Sequence, residues 1–433
     1  MKKRKQNSLS APSLIENVFQ VFLKVPDPRG HNLKRKIEFS DHLMSGLAMF
    51  GLKFSSLLQY DRARRDPEIK YNLKTLYHVE NPPSDTYFRE RLDELPPEFI
   101  RPAFKKVFAK LQRGKALEQY QFMNGHYLLA LDGTGYFSSS KISCKNCCKK
   151  ESKSGKISYY HQMLGACIVH PDKKNVIPLC PEAIQHQEGN SKNDCERNAS
   201  KRFIKNFRRE HPHLKVIIIE DGLASNAPHL RMLKDNDMKY IIGAKKGDHQ
   251  YLFDQVNDSP KTEYHEVRTE DGFLHQFQYL NNISLNKSNE DLKVNFLEYR
   301  QTNPKGKEIN FSWVTNIHIT TTNIFSLMKG GRARWKIENE TFNTLKHLGN
   351  NFEHNYGHGK EYLCENLCLL MVLAFLIDQV QELCCPLFQA LRKKSASYRA
   401  QWERMRVTFE YIFFESWEDY YSKVFKKPIC NTS

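Results

Sequence analysis

A chain of 433 residues, 40% hydrophobic and 27% charged, has a globular composition with room for two or three cores, which excludes a disordered segment or a small stapled scaffold. Its 66 Lys and Arg against 49 Asp and Glu give a formal net charge of +17, which points to a polyanionic partner, nucleic acid first. Eleven cysteines, an odd number in apolar or clustered settings, read as reduced thiols in an intracellular chain.

The opening MKKRKQNSLSAPSL is basic, but no long apolar run follows it, so a secretory signal is not expected. Residues 1–37 read as a basic lead-in with one short helix at 13–23, ended by PDPRG; HNLKRK at 31–36 is either a phosphate contact or a solvated stretch. SDHLMSGLAMFGLKFSSLLQY (40–60) carries apolar residues at helical spacing behind a Ser or Asp cap. A basic patch of Arg62, Arg64 and Arg65 follows. NPPSDTYFRERLDEL opens another helix after two prolines. A third, at 99–111, bears Arg101, Lys105, Lys106 and Lys110. Residues 1–120 are therefore expected to form a helical, basic domain suited to DNA, without a specific recognition-helix signature.

The period then changes. HYLLALD (126–132) reads as a strand ending in an acid, YYHQMLGACIVHP (159–171) as a second strand and NVIPL (175–179) as a third. NDCERNASKRFIKNFRREH is a helix. LKVIIIEDG (214–222) is a buried strand, again ending in an acid, followed by helical text around 229–234 and the strand KYIIGA (239–244). The expected fold class for 121–247 is α/β, a mixed sheet with crossing helices. The alternating segments of 248–315 suggest a mostly β insertion. Residues 316–385 return to helical text and close on an apolar helix at 361–381. Its uninterrupted apolar run is short and flanked by Glu365, Asn366 and Asp378, so a buried helix is expected rather than a membrane span. Residues 386–433 read as a basic, aromatic, helical tail.

The stretch ARWKIENETFNTLKHLG (333–349) reads as one helix. At about 100° per residue, Glu338 falls on the same side as Trp335, Phe342 and Leu345, with Arg334 close by. A lone carboxylate on an apolar face is costly, so Glu338 needs a partner: a metal, Arg334, or both. A buried Arg334–Glu338 ion pair is the plain structural alternative. Asp132 in DGTG and Asp221 in EDG are each readable as turn residues, with Glu220 competing for the role of Asp221. Strand ends at the edge of an α/β sheet are, however, where such folds hold ligands. Three converging carboxylates suit Mg²⁺, with Mn²⁺ as a substitute. Two such ions about 4 Å apart activate a nucleophile and stabilise the leaving oxygen at phosphorus.

Other motifs are weaker. LDGTG resembles the end of a DxDGT phosphatase loop, but Ala130 stands where the nucleophilic Asp belongs. Cys144, Cys147 and Cys148 in SCKNCCKK have a spacing that permits zinc. No second pair at matching spacing follows, and His161, Cys167 and Cys180 are the available extras, so a flexible, basic, thiol-bearing loop is the expectation. Neither a P-loop nor a GxGxxG fingerprint is present.

The segments LLALDGTGYF, VIIIEDGLASNAPHL, FSWVTNI and RWKIENETFNTLK together resemble the DDE-type transposases of bacterial insertion sequences, in the broad IS4-like group, over about residues 40–380. That resemblance implies an RNase H-like core, split as 121–247 and 316–385 around the 248–315 insertion. It implies Asp132, Asp221 and Glu338 as a catalytic, metal-binding triad. Arg334 and Lys346 would be DNA contacts from a Tyr–Arg–Glu–Lys signature, whose tyrosine position falls on Gly331 and whose lysine lies one residue late. Trp313 would stack on a flipped base, or serve as a core tryptophan. The implied activity is cleavage at terminal inverted repeats and joining of 3′ ends to target DNA, by a homodimer in the bacterial cytoplasm with no nucleotide cofactor. A hydrolytic DNA nuclease and a non-catalytic DNA-binding protein are the alternatives.

Overall fold

The computed structural model describes residues 9–30, 37–185 and 196–425. The basic opening 1–8, the HNLKRK stretch at 31–36, the start of the helix expected from 193 and the end of the tail at 426–433 lie outside the described residues. The chain begins with a helical region: α1 (Ala11–Phe22), α2 (Phe39–Gly51), α3 (Leu57–Ala63), α4 (Pro67–Tyr77), α5 (Asp85–Asp93) and α6 (Arg101–Arg113). The single helix expected over 40–60 is two. Lys53 adopts a left-handed φ of 58°, and the Ser56 side chain accepts the Gln59 amide to start α3. A serine hydroxyl that satisfies an amide at the start of a helical turn makes a better cap than interior residue. Helix α4, which apolar spacing alone does not reveal, starts on Pro67, where a missing amide costs nothing.

A mixed sheet follows, built of β1 (Tyr127–Ser139), β2 (Cys148–Glu151), β3 (Ile157–Val169), β4 (Ile177–Pro178), β5 (Glu182–Ile184), β6 (Val216–Glu220), β7 (Lys239–Gly243), β8 (Glu263–Arg268), β9 (Leu274–Ser284), β10 (Lys293–Thr302) and β11 (Glu308–Thr315). Helices α7 (Glu196–Glu210), α8 (Ala227–Asp235) and α9 (Gln250–Asp258) interrupt it. The strand order is β2-β3-β1-β6-β7-β11-β10-β9-β8, with β4 and β5 on β3. The central strands β1, β6 and β7 run parallel. Their neighbours β3 and β11 are antiparallel to them. Every residue of β6, VIIIE, is buried, as a central parallel strand covered on both faces requires. The β-rich segment continues the same sheet, because β11 pairs with β7 at Trp313↔Gly243.

Strand β1 does not end at Asp132. It runs on through Gly133 and Gly135 to Ser139, with an irregularity between Gly135 and Phe137. The helical text after the sheet is also not one helix. It comprises α10 (Ile324–Arg332), a π-helical turn Ile337–Phe342 and α11 (Asn343–His347). The wider turn breaks the 100° register assumed for the stretch, so Trp335, expected on the apolar side, is 47% exposed.

Helix α12 (Leu363–Cys384) is long and apolar enough to cross a membrane, but it is buried from Leu363 to Gln381 at every position except Glu365. It packs between α2 and β4. Helices α13 (Pro386–Lys394), α14 (Tyr398–Tyr411) and α15 (Trp417–Phe425) then fold back on the opening helices. Asn72 of α4 donates to the carbonyls of Phe409 at 2.8 Å and Ile412 at 2.6 Å. The Trp417 indole donates to the Leu76 carbonyl at 3.1 Å.

Candidate active site

The parallel pairing of β1 with β6 sets Ala130 opposite Ile219. Two residues further along each chain, on the same face, stand Asp132 and Asp221, at one level of the sheet. Glu338 reaches the same place from the π turn. Burial pushes the Asp132 carboxyl above its usual range; Arg334 and the Gly133 amide pull it down, while the charges of Asp221 and Glu338 push it up again. Glu338 makes no hydrogen bond or ion pair among the described residues. The expected Arg334–Glu338 pair is absent there too: Arg334 Nη1 instead bonds Asp132 Oδ2 at 2.9 Å.

Two further acids enter the cluster that sequence spacing did not single out or place correctly. Glu196, at the start of α7, lays its carboxyl over Gly133, where a Cβ would collide with Oε1. Desolvation, then the charges of Asp132, Asp221 and Glu220, raise it. Glu220 is held on the buried side by His229 Nε2 at 2.5 Å. Burial works against a charged His229, but the Glu220 charge and hydrogen bond outweigh it and hold the imidazole above its ordinary value. Among the described residues, only Arg334 and His229 offset these five carboxylates at hydrogen-bond distance.

A cavity of about 330 Å³ lies on one side, lined by Asp132, Glu196, Arg197, Glu220, Asp221 and His229 among others. On the other side of Asp221 a groove of about 710 Å³ runs along the sheet. Lys245, Lys246, Arg300, Arg332 and Arg334 line it, with both Trp313 and Trp335. Trp313 is 5% exposed and stacks on Phe311 with ring centres 5.7 Å apart and planes at 10°. Gly331 lies against it, and a Cβ there would meet the indole at 2.5 Å. A larger side chain at this position has no room unless the indole moves. Arg334 sits 4.7 Å over the exposed Trp335 ring.

Most of the remaining basic candidates are held by acids. Lys346 pairs with Glu353 at 2.9 Å. Asp61 takes both Arg64 and Arg65, at 2.9 and 3.0 Å, and Arg64 also donates to the Pro82 carbonyl at 3.2 Å. Arg62 is exposed, with no hydrogen bond or ion pair among the described residues.

The expected metal, Mg²⁺ with Mn²⁺ as a substitute, is corrected by the structure. Among the described residues, the group whose donor atoms converge like metal ligands is Cys144, Cys147, His161 and His358, all within 4.8 Å of one another. Two sulfurs and two imidazole nitrogens suit Zn²⁺, whereas Mg²⁺ demands oxygen. The three acids form no such group among the described residues; Arg334 and the Gly133 amide bond the Asp132 carboxylate, and the Leu223 amide bonds Asp221. The expected loose thiol loop is thereby corrected as well. Cys148 turns away, toward the Ile184 carbonyl at 3.5 Å, and His358, far along the chain in the HNYGHGK turn, supplies the fourth donor.

No family model matches the chain, and no curated protein matches it. Among solved structures, it is similar to a piggyBac transposase in a synaptic complex with hairpin DNA, determined by cryo-EM. The sequences are 9% identical, the match covers 99% of this chain and 83% of that one, and the TM-score is 0.39.

Proposed function

We propose that the chain is a DNA transposase with an RNase H-like core, cutting at terminal inverted repeats and joining the freed 3′ ends to target DNA. The observation that carries this reading is Asp132 on β1 and Asp221 just past the end of the adjacent parallel strand β6, with Glu338 electrostatically coupled to Asp132, at the edge of a basic groove. Asp132, Asp221 and Glu338 are the acids this reading assigns to the chemistry at phosphorus. The protein's own groups do the rest. Lys245, Lys246 and Arg300 grip the DNA backbone along the groove. Trp335, the exposed tryptophan of the pair, offers a stacking face to an unpaired base. Arg334 would exchange Asp132 for a phosphate oxygen as DNA arrives, which would free the carboxylate. Glu220 and His229 fix the end of β6 and so the height of Asp221.

In this reading the helical domain expected over 1–120 faces DNA, with Arg62 available to phosphate, and two copies act on paired ends. The test is incubation of the full chain with linear DNA carrying the gene's own flanks, across a series of divalent cations. Strand-specific nicks at matched repeats, followed by joined products, are expected. Nicks without joining would mark a hydrolytic nuclease, and binding without nicks a non-catalytic protein.

Two further outcomes follow from the groove and its charges. Alanine at Lys245, Lys246 or Arg300 is expected to weaken binding to any sequence and to flatten the log–log salt slope by about 0.9 for each phosphate that is no longer neutralised. An unchanged slope in all three places the DNA elsewhere. Arg334 holds the Asp132 carboxyl down, so Arg334→Ala raises it further. Cleavage needs the ionised acid, and its acid limb is therefore expected at higher pH in this variant, whatever the height of the plateau. A pH–rate profile whose limb stays in place would unlink Arg334 from Asp132.

A further inference from the structure

The four donors Cys144, Cys147, His161 and His358 stand apart from the acids, and their spacing matches one kind of centre. A tetrahedral zinc ion, with Zn–S about 2.3 Å and Zn–N about 2.0–2.1 Å, holds two thiolates about 3.8 Å apart and a thiolate and an imidazole nitrogen about 3.5 Å apart. The sulfurs of Cys144 and Cys147 are 3.8 Å apart, far beyond a disulfide bond. His161 Nε2 lies 3.3 Å from each of them, and His358 Nε2 lies 3.3 Å from Cys147 Sγ.

The surroundings are arranged as a ligand set needs. His358 Nδ1 is 3.0 Å from the Gly359 carbonyl; donating a proton there leaves Nε2 with the free lone pair, turned to the cluster. The Cys144 amide donates to Cys147 Sγ at 3.5 Å, a bond that favours a thiolate. Phe137 and Tyr136 wall the two imidazoles, with ring centres at 4.4 Å from His358 and 5.8 Å from His161. Three of the four ligands are buried, and Cys144 half-buried.

We propose that these four residues form a structural zinc site that clasps the loop after β1 and strand β3 to the turn joining the Glu338 segment to α12. Both sides of the clasp are already in register. Asn146 donates to the Glu361 carbonyl at 2.8 Å, Lys145 pairs with Glu361, and the amides from Lys360 to Leu363 converge on the Asp93 carboxylate. Zinc would lock a turn whose upstream arm carries Glu338 and whose downstream arm is the core helix, against the strand that carries Asp132. The site itself is independent of the proposed DNA chemistry.

The test uses the full chain expressed with zinc and measures metal by mass spectrometry. One zinc per chain is expected, retained in Cys148→Ser and lost in Cys144→Ser and His358→Ala. His358→Cys, which restores a donor, should keep it. Cobalt exchanged into the unmutated chain should give thiolate-to-cobalt charge transfer and the strong visible bands of a tetrahedral site, a readout that holds even where a variant fails to fold. Chelation should raise hydrogen exchange over 140–148 and 350–362. A zinc-free chain from metal-replete cells, zinc retained without Cys144 and His358, or a six-coordinate cobalt spectrum would each overturn the proposal.

Discussion

Glu338→Gln is expected to reduce DNA strand cleavage by about a thousandfold or more, the size of several kcal/mol of lost charge stabilisation at phosphorus, while DNA binding and folding stay close to unchanged. The substitution keeps the shape of the side chain and removes only its charge. A structural carboxylate would leave a cation unpaired on such a change, with a stability loss of kcal/mol size. Glu338 has no such partner among the described residues, since Arg334 is engaged by Asp132. Its electrostatic neighbour is instead a like charge, which raises the Asp132 carboxyl. Neutralising Glu338 therefore relieves repulsion in the metal-free protein, and its thermal stability should hold or rise. Single-turnover cleavage of end-labelled DNA, beside a thermal melt, separates the two cases. Cleavage retained in this variant would remove Glu338 from the chemistry; cleavage abolished together with several kcal/mol of stability would return it to a structural role.

The sheet was legible where burial on both faces writes a continuous apolar run, as in VIIIE of β6 and KYIIG of β7. The alternating segments between 263 and 315 were equally plain as strands, but their membership in the same sheet depends on β11 pairing with β7, which no local pattern encodes. Asp132 was found for its position after an apolar run, yet the strand continues past it. Gly133 and Gly135 look like turn residues in sequence, while both lie within β1, Gly133 beneath the Glu196 carboxyl. The turn around Glu338 escaped a helical wheel because a π turn holds more residues per revolution, and the wheel's error lands on Trp335, which becomes exposed. The fourth sulfur–nitrogen donor escaped for a different reason. CxxC suggests a zinc site only with a second pair nearby, and here the second pair is one histidine on β3 and one in a turn beyond the Glu338 segment. The groove lysines Lys245 and Lys246 follow β7 in an unremarkable loop, and only the approach of β10 and α10 makes that loop the wall of a basic channel.

Lys53→Met is expected to cost about 3–5 kcal/mol of folding stability, the range for leaving one half of a buried ion pair without its partner. Lys53 is 3% exposed, and its ammonium donates to Asp378 Oδ2 at 2.5 Å and to the Phe50 carbonyl at 2.9 Å, 4.7 Å from the Trp402 ring. The three elements it joins are α2, the core helix α12 and α14, so the pair ties the opening helices to the core and to the tail. Burial pushes the Asp378 carboxyl up to about 6, against the pull of Lys53. Methionine keeps the stem of the lysine and removes the charge, so Asp378 rises further and burying it ionised becomes the whole penalty. The sign with pH follows. A carboxyl whose folded value lies above its unfolded value of about 3.9 costs stability that grows as pH rises from the unfolded value to the folded one, is full above the folded value and vanishes only below the unfolded one. The destabilisation in Lys53→Met should therefore be larger at pH 8 than at pH 5. Adding Asp378→Leu removes the stranded carboxylate, and the double variant is expected to recover most of the stability. Denaturant unfolding of the two variants at both pH values decides it. A single variant less than about 1 kcal/mol below the parent, in the range of an exposed pair, would mean that water reaches Asp378 and that this pair does not hold the helical region to the core.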